Sequence, residues 1–265
     1  MIANRGEIAI RIARAAGEAG LASVAIHPAD DAASLHVRSA DESREIPGRG
    51  ARAYLDIEAV IAAARATGCD ALHPGYGFLS ENVALARRCA EEGIAFIGPS
   101  PEALELFGDK AKAKALAKQC GVPVIEGTEG PTTLEDARAF QASQGAVVIK
   151  AIAGGGGRGM RIVEDPAKLD EAYARCQSEA MAAFGSGEVY LERLIRKARH
   201  IEVQIVGDRH GAISHLWERE CTIQRRHQKL IEVAPSPSLS EALRSRIIES
   251  AKHLASAAQY DNLGT

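Results

Sequence analysis

The densest chemical signal in this 265-residue sequence is the run Gly154-Gly155-Gly156-Gly157-Arg158-Gly159, entered through VVIK at 147–150 and left through MRIV at 160–163. The run satisfies G-x-G-x-x-G. A dinucleotide fingerprint, however, opens a helix after the first strand of a βαβ unit, whereas here a strand-like segment follows, deep in the chain. A P-loop reading also lacks its support, because no Gly-Lys-Ser or Gly-Lys-Thr follows the glycines. What the residues leave is a hairpin tip. Either its unhindered backbone N–H groups close over phosphate oxygens, with Arg158 adding charge, or it is an ordinary surface turn. Lys150 has two readings of the same kind. It is a solvated strand lysine or, given the apolar neighbours at 146–149, the inward-facing lysine of a buried strand.

A second constellation runs from Cys221 to Lys229. Arg225, Arg226, His227 and Lys229 place four basic side chains within five residues, with Gln224 and Gln228 interleaved as neutral donors and acceptors. In an extended segment His227 and Lys229 share a face, which makes a pocket for phosphate or bicarbonate. The competing reading is a solvated basic run. The third is HPGYGFLSEN at 73–82, which follows an apolar strand and precedes a helix, the place where ligands collect in a doubly wound sheet. Ser80 or Asn82 can be no more than helix N-caps there. Tyr76, between two glycines, has no capping role.

These groups need elements to position them. In the first hundred residues, helical patterns at about 7–19, 57–66 and 82–91 alternate with strands at 21–27 and 94–98, and Gly20, Gly68 and Gly93 stop the helices. The first helix is expected to bury Ile8, Ile12, Ala15 and Ala19. Such alternation predicts a parallel sheet covered on both faces, a doubly wound α/β domain over 1–108. A lysine-rich helix at 109–120 opens the remainder. After it come a helix capped by Thr133 through Phe140, the strands flanking the glycines, a helix over 166–184 capped by Asp165, and the strands VYLERLI, HIEVQIV and AISHLWERE, with a turn at 208–211. Strands without intervening helices predict an α+β region with an antiparallel sheet over 109–265.

Composition bounds the function. Net charge is −3, from 32 basic against 35 acidic residues, so no global field gathers nucleic acid or a membrane surface, and any anion site is local. Five separated cysteines without a C-x-x-C pair argue against disulfides or a zinc knuckle and for a reducing, cytoplasmic-type compartment. No stretch approaches the ~20 apolar residues of a membrane span. The expectation is a soluble, untargeted protein.

Six motifs together carry a resemblance. IANRGEIA at 2–9, HPGYGFLSEN at 73–82, FIGP at 96–99, GDK at 108–110, the K-A-x-x-G-G-G-G-R-G-M pattern at 150–160 and QRRHQK at 224–229 resemble, in order, those of biotin carboxylases. They also resemble the corresponding domains of acetyl-CoA, propionyl-CoA, long-chain acyl-CoA and pyruvate carboxylases. The resemblance implies an ATP-grasp fold: a pre-ATP-grasp domain, then an incomplete ATP-grasp domain with a glycine-rich lid at about 124–194. It implies a ligase that forms carboxyphosphate from ATP, Mg²⁺ (or Mn²⁺) and bicarbonate and carboxylates biotin. Lys110 and Lys150 would hold nucleotide phosphates, with Gly156 and Gly157 closing over them. Glu192, Arg193, Leu194 and Ile195 would line the adenine pocket, and His200 would lie near the ribose and phosphates. His227 would contact the terminal phosphate, Lys229 would bind bicarbonate, and Tyr76 and Gln228 would approach biotin. Arg14 and Glu18 match positions of the family's dimer contact. A biotin carboxyl carrier, a carboxyltransferase and a second copy are the implied partners, while nucleic acid and membrane are not. The family's metal-binding glutamates would fall beyond Thr265, so no metal ligand is assigned and the chain alone is expected to be inactive. Other ATP-grasp ligases, such as carbamoyl-phosphate synthetases, and a stand-alone nucleotide-binding module remain as alternatives.

Overall fold

The computed structural model describes residues 1–153, 159–225 and 228–265. The chain divides into two compact units. The first holds Met1–Gly108, Gly207–Ala212 and Gln259–Leu263, and the second holds Asp109–Val206, Ile213–Ala258 and Gly264–Thr265.

In the first unit Val24–His27 pairs in parallel with Glu42–Glu45, and Ala71–Leu72 pairs in parallel with Ala95–Phe96. Ile2 bridges in parallel to both Ala25 and His73 and so joins the two pairs. Parallel neighbours need crossovers, and the helices Gly6–Glu18, Ile57–Ala66 and Val83–Glu91 serve as such. Two of them begin on side-chain caps: Asp56 accepts from the Ala59 N–H at 3.0 Å, and Asn82 from the Leu85 N–H at 2.9 Å. Their apolar faces close over a core of Ile26, Tyr54, Ile61, Leu72 and Leu85.

Several boundaries differ from expectation. The strand expected over 21–27 starts at Val24, because Leu21 is exposed and Ser23 is tied through its N–H and hydroxyl to Asp41. The strand expected over 94–98 is only Ala95–Phe96. The first helix buries Ala9, Ile12 and Ala13, not Ala15 and Ala19; Ala19 is already its exposed C-cap. Glu42–Glu45 has four exposed polar residues and therefore no apolar signature, yet its backbone extends the sheet.

In the second unit the helix Lys110–Gln119 starts at Asp109, whose carboxylate accepts from the N–H groups of Ala111 at 2.9 Å and Lys112 at 3.1 Å. An antiparallel sheet follows in the order Met160–Val163, Val147–Ala151, Val189–Arg193. The helices Leu134–Gln144 and Leu169–Phe184 supply the rest of a core that includes Ala137, Val147, Ile149, Cys176 and Leu191. Thr133 caps the first of these, which runs past Phe140 to Gln144. Asp165 caps a single tight turn, Pro166–Lys168, so the second begins three residues later than expected. Further along, Ile201–Gly207, Ile213–Arg225 and Gln228–Val233 are successive neighbours in another sheet, the last two antiparallel. A turn at Asp208 joins the first two, its carboxylate accepting from the His210 and Ala212 N–H groups at 2.8 Å each. The helix Glu241–Ala257, capped by Ser240, completes the unit and stands outside the expectations above.

Candidate nucleotide-phosphate site

Lys150 lies on the central strand of the three-stranded sheet, opposite Met160 on one side and Tyr190 on the other. Two residues beyond Tyr190, on the same face of the neighbouring strand, stands Glu192, at the diagonal distance that a long side chain spans. The Lys150 ammonium donates to its carboxylate. Lys114, one helical turn after Lys110, donates to the other oxygen of the same carboxylate at 3.3 Å. Burial drives the Glu192 carboxyl upward, but the hydrogen bonds and charges of Lys150 and Lys114 outweigh it and hold the group below the usual carboxylate range. Burial, and next the like charge of Lys150, lower the Lys110 ammonium, with Glu192 opposing. Three lysines around one carboxylate leave local positive charge in excess within a chain that is negative overall. Such a cluster binds phosphate.

A second cluster is centred on Glu202. Its carboxylate accepts from Lys229 and from Arg219 at 3.0 Å, and His200 Nε2 stands 3.0 Å away. The Gln224 amide donates to His200 Nδ1 at 2.8 Å, which places the imidazole proton on Nε2, facing Glu202. Burial raises the Glu202 carboxyl, yet Lys229 and Arg219 lower it further, and the hydrogen bond that Lys229 donates to Glu202 raises Lys229 in turn. Of the basic run read from the sequence, Arg225 is exposed and Lys229, also exposed, is paired with Glu202. Lys229 is held ready by a carboxylate.

Tyr76 is exposed and donates its hydroxyl to Glu7. Asn82 is an N-cap, whereas Ser80 caps nothing and instead closes a turn through its N–H to Gly77 O at 2.9 Å. Arg14 and Glu18 lie exposed on the first helix. Arg193 pairs with Glu126 at 3.6 Å, and Leu194 and Ile195 follow the strand end, the Leu194 N–H reaching Ala146 O at 2.9 Å. Gln228 begins the exposed strand Gln228–Val233. Gly156, Gly157, Arg158 and His227 lie outside the described residues. The structure therefore brings Lys110, Lys150 and Glu192 together, and separately His200 with Lys229. Sequence reading missed Lys114 and Glu202. Helical spacing from Lys110 and strand spacing from His200 were the signals that pointed to them.

Residues 1–104 match the family described as biotin carboxylase, N-terminal domain, and residues 109–265 match that described as carbamoyl-phosphate synthase L chain, ATP binding domain. A solved Campylobacter jejuni biotin carboxylase in complex with an ATP compound superposes on 99% of this chain and 59% of its own, with a TM-score of 0.95 at 47% identity. The chain belongs to the biotin carboxylase family. Its second half accordingly has the ATP-grasp fold, here incomplete, after a doubly wound first half. The biotin carboxylase domain of a Hydrogenobacter thermophilus 2-oxoglutarate carboxylase, solved as a dimer with MgADP, ADP and bicarbonate, also has a TM-score of 0.95, at 42% identity over 99% of this chain and 58% of that one. The pyruvate carboxylase of Bacillus subtilis is 54% identical over all of this chain. Human mitochondrial pyruvate carboxylase is 49% identical over the same extent. The chain spans 23% of the length of each of these relatives.

Proposed function

We propose that this chain is the nucleotide-handling part of a biotin-dependent carboxylase that uses ATP and bicarbonate to carboxylate biotin on a carrier through carboxyphosphate. The observation that carries the reading is the convergence of Lys110, Lys114 and Lys150 on Glu192, beside the strands that flank the glycine run. Phosphoryl transfer is mostly positioning and charge neutralisation, and lysines held on a helix and a central strand supply both. In this reading Lys110 and Lys150 bind nucleotide phosphates, Gly156 and Gly157 close over them, and the segment 192–195 lines the adenine. His200 and His227 serve the phosphate end, Lys229 orients bicarbonate against the charge of Glu202, and Tyr76 and Gln228 face biotin. Arg14 and Glu18 belong to a contact between copies.

Among the described residues no group of three or more His, Cys, Asp or Glu side chains could hold a metal ion. No helix among the described residues is long and apolar enough to cross a membrane, and a cytoplasmic place is part of the proposal. The pyruvate carboxylase relatives favour a carrier domain and a carboxyltransferase domain as partners, and pyruvate as the final acceptor.

The test is made on the full-length protein that carries this chain. ATP cleavage is expected to require biotin and bicarbonate; cleavage indifferent to biotin would favour another ATP-grasp ligase. Lys110→Ala is expected to weaken nucleotide binding, whereas Lys229→Ala raises the KM for bicarbonate more than that for ATP. If both changes act only on ATP, the assignment of Lys229 is wrong.

A further inference from the structure

The phosphate site contains a lysine to which the resemblance gives no part. Lys114 donates to one oxygen of Glu192 while Lys150 donates to the other. Both partners are largely shielded, with side-chain exposures of 22% for Lys114 and 13% for Glu192. Facing them, Gly127 bridges the Glu192 backbone in antiparallel fashion. A β-carbon at 127 would stand 2.6 Å from Leu191 O, 2.9 Å from Lys114 Nζ and 3.0 Å from Glu192 Cγ. The close approach of that segment leaves Lys114 little room away from the carboxylate.

When a phosphate reaches the site, the Lys150 ammonium must turn from Glu192 to the phosphate oxygens. Were Lys150 the carboxylate's one partner, this would strand a shielded negative charge beside an incoming anion, adding lost pairing to like-charge repulsion. A second ammonium on the other oxygen removes both penalties. We propose that Lys114 is a positioning residue that keeps Glu192 neutralised while Lys150 passes from that carboxylate to the nucleotide phosphate. The inference rests on the nucleotide reading of this site. Glu192 is then an internal stand-in for phosphate, aiming Lys150 before a nucleotide arrives. The groups around Glu192 are Lys110 and Lys114 from the helix, Lys150 from the central strand and Tyr190 on its own strand, with Lys114 and Lys150 each donating to one of its two oxygens.

Calorimetric titration of the full-length protein with ADP tests this. Lys114→Met is expected to bind ADP about tenfold more weakly, the size of one charge-assisted hydrogen bond, because Glu192 then retains Lys150. Lys114→Arg keeps the positive charge and is expected to stay within about threefold of the unsubstituted protein. In the double variant Lys114→Met/Glu192→Gln no carboxylate competes for Lys150, so it is expected to bind ADP as well as Glu192→Gln alone. A lysine that merely props the fold would lower the melting temperature and would not be rescued by Glu192→Gln. Unchanged ADP affinity in Lys114→Met, or a double variant about tenfold weaker than Glu192→Gln alone, overturns the inference alone. Failure of the unsubstituted protein to bind ADP overturns the nucleotide reading and this inference with it.

Discussion

Glu202 and Glu192 share a design in which a shielded carboxylate holds a lysine that is proposed to serve an anionic substrate. At Glu202 the partners are Lys229, Arg219 and His200. Because Lys229 and Arg219 keep the Glu202 carboxyl below its ordinary value in the folded state, its contribution to stability is complete above the unfolded-state pKa of about 4.3 and is lost as pH falls through the lower folded value. Glu202→Gln is therefore expected to lower stability by ~1–2 kcal/mol near neutral pH, as read from denaturant midpoints, with the gap to the unsubstituted protein closing below about pH 4. The same change lets Lys229 return toward an ordinary lysine value, since the hydrogen bond it donates to the Glu202 carboxylate is what raises it most. Glu220 shows the neutral version of such control. The hydroxyls of Ser236, Ser238 and Thr222 hold its carboxyl down to about 2. In a Ser236→Ala/Ser238→Ala variant, carboxyl NMR titration is expected to show Glu220 moving up toward the usual carboxylate range.

The elements place these residues through local rules that are cheap to state and to test. Asp109 satisfies two free N–H groups of the first turn that carries Lys110. Asp109→Ala should cost ~1 kcal/mol in thermal stability and weaken ADP binding as that turn frays, while Asp109→Asn, which can still accept, should do neither. Gly127 works through space, because the segment beside Glu192 tolerates no β-carbon. Gly127→Ala is expected to destabilise by ~1–3 kcal/mol, measured by thermal unfolding, and to loosen the hold of Lys114 on Glu192. The caps at Asp56, Asn82, Asp109 and Thr133 stand beside apolar helical patterns in the sequence, and each accepts the hydrogen bond its position implies. The strands were harder to bound. Their ends are set by which backbone finds a partner, and Glu42–Glu45 pairs along its whole length with no apolar residue to announce it.

At the scale of the whole molecule, net charge is small while cohesion is shared among three apolar clusters of the described residues. Salt is therefore expected to weaken ADP binding, with the effect spread over the range where the Debye length shrinks from ~30 to ~8 Å, as titrations between 0.01 and 0.15 M ionic strength would show. Leu72→Ala empties part of the first core and should cost ~2–5 kcal/mol, with hydrogen exchange accelerating most in Val24–His27 and Ala71–Leu72. The sequence by itself determined the two fold classes, the caps at Asn82, Thr133 and Asp165, the strands flanking the glycine run, and Lys150 and Lys229 as cations of interest. All of these depend on residue type and short-range spacing. Only the tertiary structure decided that Lys114, 78 residues away from Glu192 along the chain, meets the same carboxylate as Lys150, and that Glu202 gathers Lys229, Arg219 and His200. Which cation faces which carboxylate is set by strand register and by the approach of a helix to a sheet edge, and neither is written in the spacing of any one segment.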